Sequence, residues 1–106
     1  MRIAYVRNQD VELMEEQLNR IVKYGIDEVV LDRTGERLPE LLKTLGSGDE
    51  LHVASLDRFS RIIPATVRIL KDLHDRGVAL YVDGAKYDLE RFTLGSEIID
   101  NLTARN

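Results

Sequence analysis

A chain of 106 residues, 43% hydrophobic and 32% charged, has the length and apolar content of one domain with one core, and its two prolines and seven scattered glycines build neither a linker nor a low-complexity tail. The absence of cysteine excludes a disulfide framework and thiolate metal sites, and His52 and His74 lack metal-ligand spacing, so no metal or other cofactor is expected. The net charge of −4 argues against an independent, non-specific nucleic-acid binder; no apolar run approaches a membrane span and no signal-peptide core precedes the first strand, which makes the cytoplasm the default location.

Ile3, Ala4, Tyr5 and Val6 read as a first strand that ends at Arg7, Asn8 and Gln9. Asp10 suits the N-cap of a helix whose apolar positions Val11, Met14, Leu18, Ile21 and Val22 recur at helical spacing until Gly25, with Glu12, Glu15 and Glu16 on its wet face. Glu28 to Leu31 is a second strand and Asp32 to Arg37 the loop beyond it. Pro39 opens a short helix with Leu41, Leu42 and Leu45 inside, and the turn from Gly46 to Asp49 leads to a third, apolar strand that begins at Leu51. After Arg61, Pro64 marks another helix start, with Ile63, Val67, Ile69, Leu70 and Leu73 as its stripe before Gly77. Val78 to Val82 is a fourth strand, Lys86 to Leu89 fits a short edge strand, and Leu94, Ile98, Ile99 and Leu102 pattern a last helix from about Thr93. Strands alternating with helices predict an α/β domain: a three-layer, mainly parallel sheet of four to five strands, with helices on both faces.

In such a sheet, residues that follow strands share the carboxyl edge, where open α/β sheets keep their ligands. Arg7 follows the first strand, Arg33 and Arg37 the second, and Asp57, Arg58 and Arg61 the third, whereas the opposite connections, residues 25–27 and 46–50, hold no arginine. Guanidinium groups present planar forks of donors that match phosphate or carboxylate oxygens, so this rim suits a polyanion. The plainer alternative for residues 57–61 is a solvated turn with an Asp-Arg pair. His52, within an apolar strand, reads as a satisfied core histidine and His74 as solvent-exposed; Tyr5 and Tyr81 read as strand core residues with anchored hydroxyls.

Several of these pieces occur together in one family. The opening Arg2 to Arg7, Gln17, the loop Gly35 to Pro39, Gly48 to Leu51 and the run Leu56, Asp57, Arg58, Phe59, Ser60, Arg61 resemble the catalytic domain of serine recombinases, the resolvase and invertase group. The resemblance covers nearly the whole chain. It implies DNA strand cleavage and exchange, with a serine two residues beyond the first arginine attacking a phosphodiester. By position it makes Arg7, Arg58 and Arg61 phosphate ligands, Arg37 a fourth, and Asp57 a residue that orients an arginine or aids proton transfer.

Two departures alter that expectation. The nucleophile position is occupied by Gln9, no serine precedes Ser47, and a carboxamide cannot serve as the nucleophile of phosphoryl transfer. The segment from Arg7 to Gln17 is also one residue short of the family spacing, and Thr34, Ser55 and Ser60 are the substitute hydroxyls. Second, the long helix that makes the family's dimer has barely begun at Asn106 and no helix-turn-helix domain follows, so the expectation is a single truncated catalytic domain that binds DNA weakly by itself. The leading reading is a recombinase domain that has lost cleavage and kept its arginine site. The alternatives are an active domain with a displaced hydroxyl such as Ser60, and a non-catalytic interaction module that forms a homodimer or heteromer through its last helix.

Overall fold

The computed structural model describes residues 1–90. The expected helix carrying Leu94, Ile98, Ile99 and Leu102 lies outside the described residues. The elements run β1 (Arg2–Arg7), α1 (Val11–Ile21), β2 (Glu28–Asp32), α2 (Leu38–Thr44), β3 (Glu50–Val53), α3 (Ile63–Asp75), β4 (Ala79–Val82) and β5 (Ala85–Tyr87). They form one five-stranded sheet in the order β2-β1-β3-β4-β5. The first four strands are parallel and β5 is antiparallel to β4.

Local chemistry sets the boundaries. The Asp10 side chain accepts hydrogen bonds from the backbone N–H of Glu12 at 2.8 Å and Leu13 at 3.4 Å, which satisfies donors that the first turn of α1 leaves free. Pro39 and Pro64 stand in the first turns of α2 and α3, where a missing N–H costs nothing. Between β4 and β5, Asp83 and Gly84 have φ of 49° and 82°, the left-handed pair of a tight hairpin, so the chain reverses and β5 becomes the antiparallel edge. Gly84 is fixed twice over, because a Cβ there would lie 2.3 Å from the Tyr24 ring.

The strand pleat divides the core. Ile3 and Tyr5 of β1, Leu51 and Val53 of β3 and Leu80 of β4 pack with Leu38, Leu41, Leu45, Leu70 and Leu73 of the α2 and α3 region on one face. Ala4, Val6 and Ala54 meet Met14 and Ile21 of α1 on the other. Burying each large aliphatic side chain contributes about 1.5–3 kcal/mol. The second face is thinner, covered among the described residues by α1, and this changes the expected burial of that helix: Val11 and Val22 are 59% and 50% exposed, while Gln17 is buried. Ile63, expected on the buried stripe of α3, is 69% exposed because the helix has only just left the loop at that point.

His52 is buried on the α1 face and stacks with Tyr81 at 4.7 Å between ring centroids and with Tyr24 at 6.3 Å. Its Nε2 lies 3.4 Å from a Glu50 carboxylate oxygen, but its Nδ1 has no hydrogen-bond partner, so it is a core histidine only half satisfied. Tyr81 is half-buried, and His74 is half-buried too, with Nδ1 3.6 Å from the Asp75 carboxylate, in place of full exposure.

Candidate functional site

From β1 the chain passes to one side of the sheet to form β2 and then returns past β1 to form β3. Connections that diverge in this way leave a crevice beyond the carboxyl ends of β1 and β3, the topological switch point where doubly wound sheets bind ligands. An open cleft of about 490 Å³ lies there. Arg7, Asn8 and Gln9 line it from β1, Arg33 from beyond β2, and Asp57, Arg58, Ser60, Arg61 and Ile62 from the segment between β3 and α3.

Arg7, the last residue of β1, ties the two other loops together. Its Nη1 donates to the Phe59 carbonyl at 3.2 Å and its Nη2 to the Thr34 carbonyl at 3.1 Å. Gly35, at φ 92°, makes this route open: a Cβ there would stand 2.7 Å from the Arg7 guanidinium carbon. The Arg7 carbonyl in turn accepts from Gln17 Nε2 at 2.9 Å and from Arg58 Nη1 at 3.2 Å, so α1 and the β3–α3 segment both hold the end of β1.

Arg58 closes a 3-10 turn, Leu56–Arg58, and its guanidinium is fixed on two sides. Besides the bond to Arg7, Nε donates to Ser55 Oγ at 3.3 Å and lies 3.6 Å from an Asp57 oxygen. The Ser55 hydroxyl donates to the same Asp57 carboxylate, so Asp57 steadies Arg58 both directly and through Ser55. Arg61 is exposed and makes no hydrogen bond or ion pair among the described residues. Arg33 donates from Nη2 to the Gln9 carbonyl at 3.2 Å. Four guanidinium groups and one carboxylate thus share one cleft, which favours an anionic ligand.

Arg37, on the same rim in the sequence, is not among the lining residues. Its Nη1 donates to the Leu31 carbonyl at 3.0 Å, which secures the loop after β2. Gln9, two beyond Arg7, is exposed and faces the cleft. Of the three candidate hydroxyls, Ser55 is engaged with Asp57 and Arg58, and Thr34 Oγ accepts from the Glu36 N–H at 3.3 Å. Ser60 lines the cleft and its Oγ accepts from the Ile62 N–H at 3.0 Å, an interaction that leaves its own proton free to donate.

The sequence pattern places Asp32 in a loop, but the structure makes it the buried last residue of β2, 2% exposed. Its carboxylate accepts from the Tyr5 hydroxyl at 2.8 Å and from the backbone N–H groups of Thr34, Gly35 and Arg37 at 3.2, 2.9 and 3.1 Å. Burial alone would raise its pKa, yet these hydrogen bonds outweigh burial and hold the carboxyl below the usual range. Tyr5 moves the opposite way: burial first, then the Asp32 hydrogen bond and charge, push its hydroxyl well above the ordinary value, with Arg7 acting weakly against them. This pair shapes the loop that Arg7 grips. An aspartate two residues before Thr34 and three before Gly35 is the trace it leaves in the sequence, a side chain that folds back on its own turn. Among the described residues no group of histidines and carboxylates could hold a metal ion, and no helix is long and apolar enough to cross a membrane.

A family model described as the resolvase N-terminal domain matches residues 3–104. The N-terminal catalytic domain of TP901-1 integrase has the same fold, with a TM-score of 0.70 at 19% identity over 96% of this chain and 98% of that one. A resolvase family site-specific recombinase from Streptococcus pneumoniae gives 0.66 at 20% identity over 98% and 91% of the two chains. The C-terminal catalytic domain of ISC1926 TnpA, an IS607-like serine recombinase, gives 0.60 at 18% identity over 97% and 78%. No curated protein sequence matches this chain. Identities this low speak for the fold, and the family model, which spans nearly every residue from β1 onward, speaks for descent: the chain belongs to the resolvase N-terminal domain family, whose fold is that of serine recombinase catalytic domains.

Proposed function

We propose that this chain is a recombinase catalytic domain that holds a DNA phosphodiester in the arginine cleft without cutting it. The observation that carries the reading is the convergence of Arg7, Arg33, Arg58 and Arg61 on a cleft that Gln9 also lines, the residue that the sequence resemblance sets at the family's nucleophile position. Strand cleavage requires an alcohol to lose its proton, bond to phosphorus and displace a sugar oxygen, while donors stabilise charge on the phosphoryl oxygens. Guanidinium donors line the cleft, and a carboxamide stands at the position that the family resemblance gives to the attacking serine. Asp57 serves as the residue that orients Arg58, and Arg37 as a support of the loop rather than a ligand. With a net charge of −4 the chain alone binds duplex DNA weakly, and counterion release makes that binding fall steeply with salt. Pairing with a second recombinase copy through Leu94, Ile98, Ile99 and Leu102 belongs to the same proposal, and sedimentation at several concentrations tests it.

The deciding experiment is a nicking assay on supercoiled plasmid, stopped with denaturant to trap any covalent protein–DNA adduct. No nick and no adduct are expected. An adduct would mean that another hydroxyl has replaced the missing serine. Ser60 is the one that the geometry favours, since it lines the cleft with its proton available, and loss of the adduct in Ser60→Ala would establish that second reading.

A further inference from the structure

We infer that the arginine cleft is one half of a nucleotide site whose other half, an apolar recess beside it, receives an unstacked base of single-stranded DNA. The inference rests on the phosphate reading above and adds the form of the substrate. The recess has a volume of about 300 Å³ and is walled by Leu56, Ile63, Val67 and Leu70. It shares Asp57, Ser60 and Arg61 with the cleft, so the Arg61 guanidinium stands on the border between a cationic space and an apolar one.

Three features fit a nucleotide at this border. A nucleotide is itself divided in this way, with an anionic phosphate joined through a sugar to a flat, largely apolar base. A phosphate held by Arg58 and Arg61 therefore directs its own base toward the recess. Next, Ile62 and Ile63 are 66% and 69% exposed side by side, one lining the cleft and the other the recess, and adjacent exposed apolar side chains mark a contact surface. Finally, the border carries polar atoms for a base edge: the Ser60 hydroxyl, the Asp57 carboxylate, and Thr66 Oγ, which donates to the Ser60 carbonyl at 3.0 Å. In a duplex the bases are stacked and paired, and reaching this recess would require extruding one; a single strand offers its bases freely.

The test compares four probes on the full chain by competition: inorganic phosphate, a deoxythymidine trinucleotide, the same trinucleotide with an abasic centre, and a short duplex. The intact trinucleotide should bind about tenfold more tightly than the abasic one, the order of gain expected from burying part of one base face against aliphatic side chains. The duplex should bind no better than the abasic strand. Ile63→Ala should narrow the ratio severalfold while phosphate affinity and the circular dichroism spectrum stay unchanged. Equal binding of the intact and abasic strands overturns the inference and leaves the phosphate site standing. A full ratio in a folded Ile63→Ala variant overturns it as well, by placing the base elsewhere. Failure of inorganic phosphate to compete overturns the phosphate reading itself.

Discussion

On the β2 side of the cleft, Asp32 is buried and its carboxylate accepts four hydrogen bonds, whereas on the β3 side Arg61 stands in the open with no partner among the described residues. Arg7 and Arg58 stand between the two, each spending two of its five N–H donors on neighbouring groups, Arg7 through Nη1 and Nη2 and Arg58 through Nε and Nη1. Charge alone does not distinguish these residues. What does is whether their hydrogen-bonding capacity is already used: a satisfied group maintains the shape of the loops, and an unsatisfied one is available to a ligand.

The contrast can be broken most directly at Asp32. Asp32→Ala strands the Tyr5 hydroxyl and three backbone N–H groups, and should lower stability by about 3 kcal/mol in urea unfolding. A loss below about 1 kcal/mol would mean that the β2 side is no more structural than the β3 side. The same group gives a pH signature. Because the folded state depresses the Asp32 pKa, its stabilisation is present above the unfolded value of about 3.9 and disappears as pH falls through the folded one. Tyr5 gives the mirror image, with its raised pKa making stability fall as pH rises beyond about 10. Both arms should shrink in the unfolding profile of an Asp32→Ala, Tyr5→Phe double variant, leaving on the acid side the lowered carboxyls of Asp49 and Glu50 and on the alkaline side the raised hydroxyl of Tyr87.

Gly35→Ala ranks next. An L-residue at that positive φ costs about 1–2 kcal/mol, and its Cβ would displace the Arg7 guanidinium, so phosphate affinity should drop along with the unfolding midpoint. Arg58→Ala separates the two properties further: the small-anion site should be lost in calorimetry with phosphate, while stability falls by about 1.5 kcal/mol for the charge-assisted hydrogen bonds that its part-exposed guanidinium donates to neutral acceptors. Arg61→Ala should have the smallest effect on the fold, within about 0.5 kcal/mol, yet weaken phosphate binding about tenfold. If Arg61→Ala destabilised the chain as much as Asp32→Ala, the division between supporting and available groups would fail.

Much of this arrangement can be read before any coordinates. Helical spacing in α1 and α3, prolines in first turns and glycines after helices mark the elements, and a strand before each arginine cluster places Arg7, Arg33, Arg58 and Arg61 at one edge. The Asp83-Gly84 pair carries the antiparallel edge in its turn chemistry. These features are legible because backbone period and turn preference depend on residues close together in sequence.

The rest depended on partners far along the chain. Arg33 and Arg37 occupy the same loop, and only packing decides that one lines the cleft while the other returns to the Leu31 carbonyl. The burial of Asp32 requires Tyr5 to lie 27 residues away on the neighbouring strand, and a strand-end aspartate looks the same in sequence whether it is buried or wet. Val11 and Ile63 keep the helical apolar period yet remain exposed, since the width of the covered stripe is set by how much of the opposing sheet the helix reaches. Above all, the order β2-β1-β3-β4-β5 creates the crevice, and a list of strands does not contain it: local propensity specifies that a segment will be a strand, but its neighbours are chosen by the direction of each crossover and by burial summed over the whole sheet.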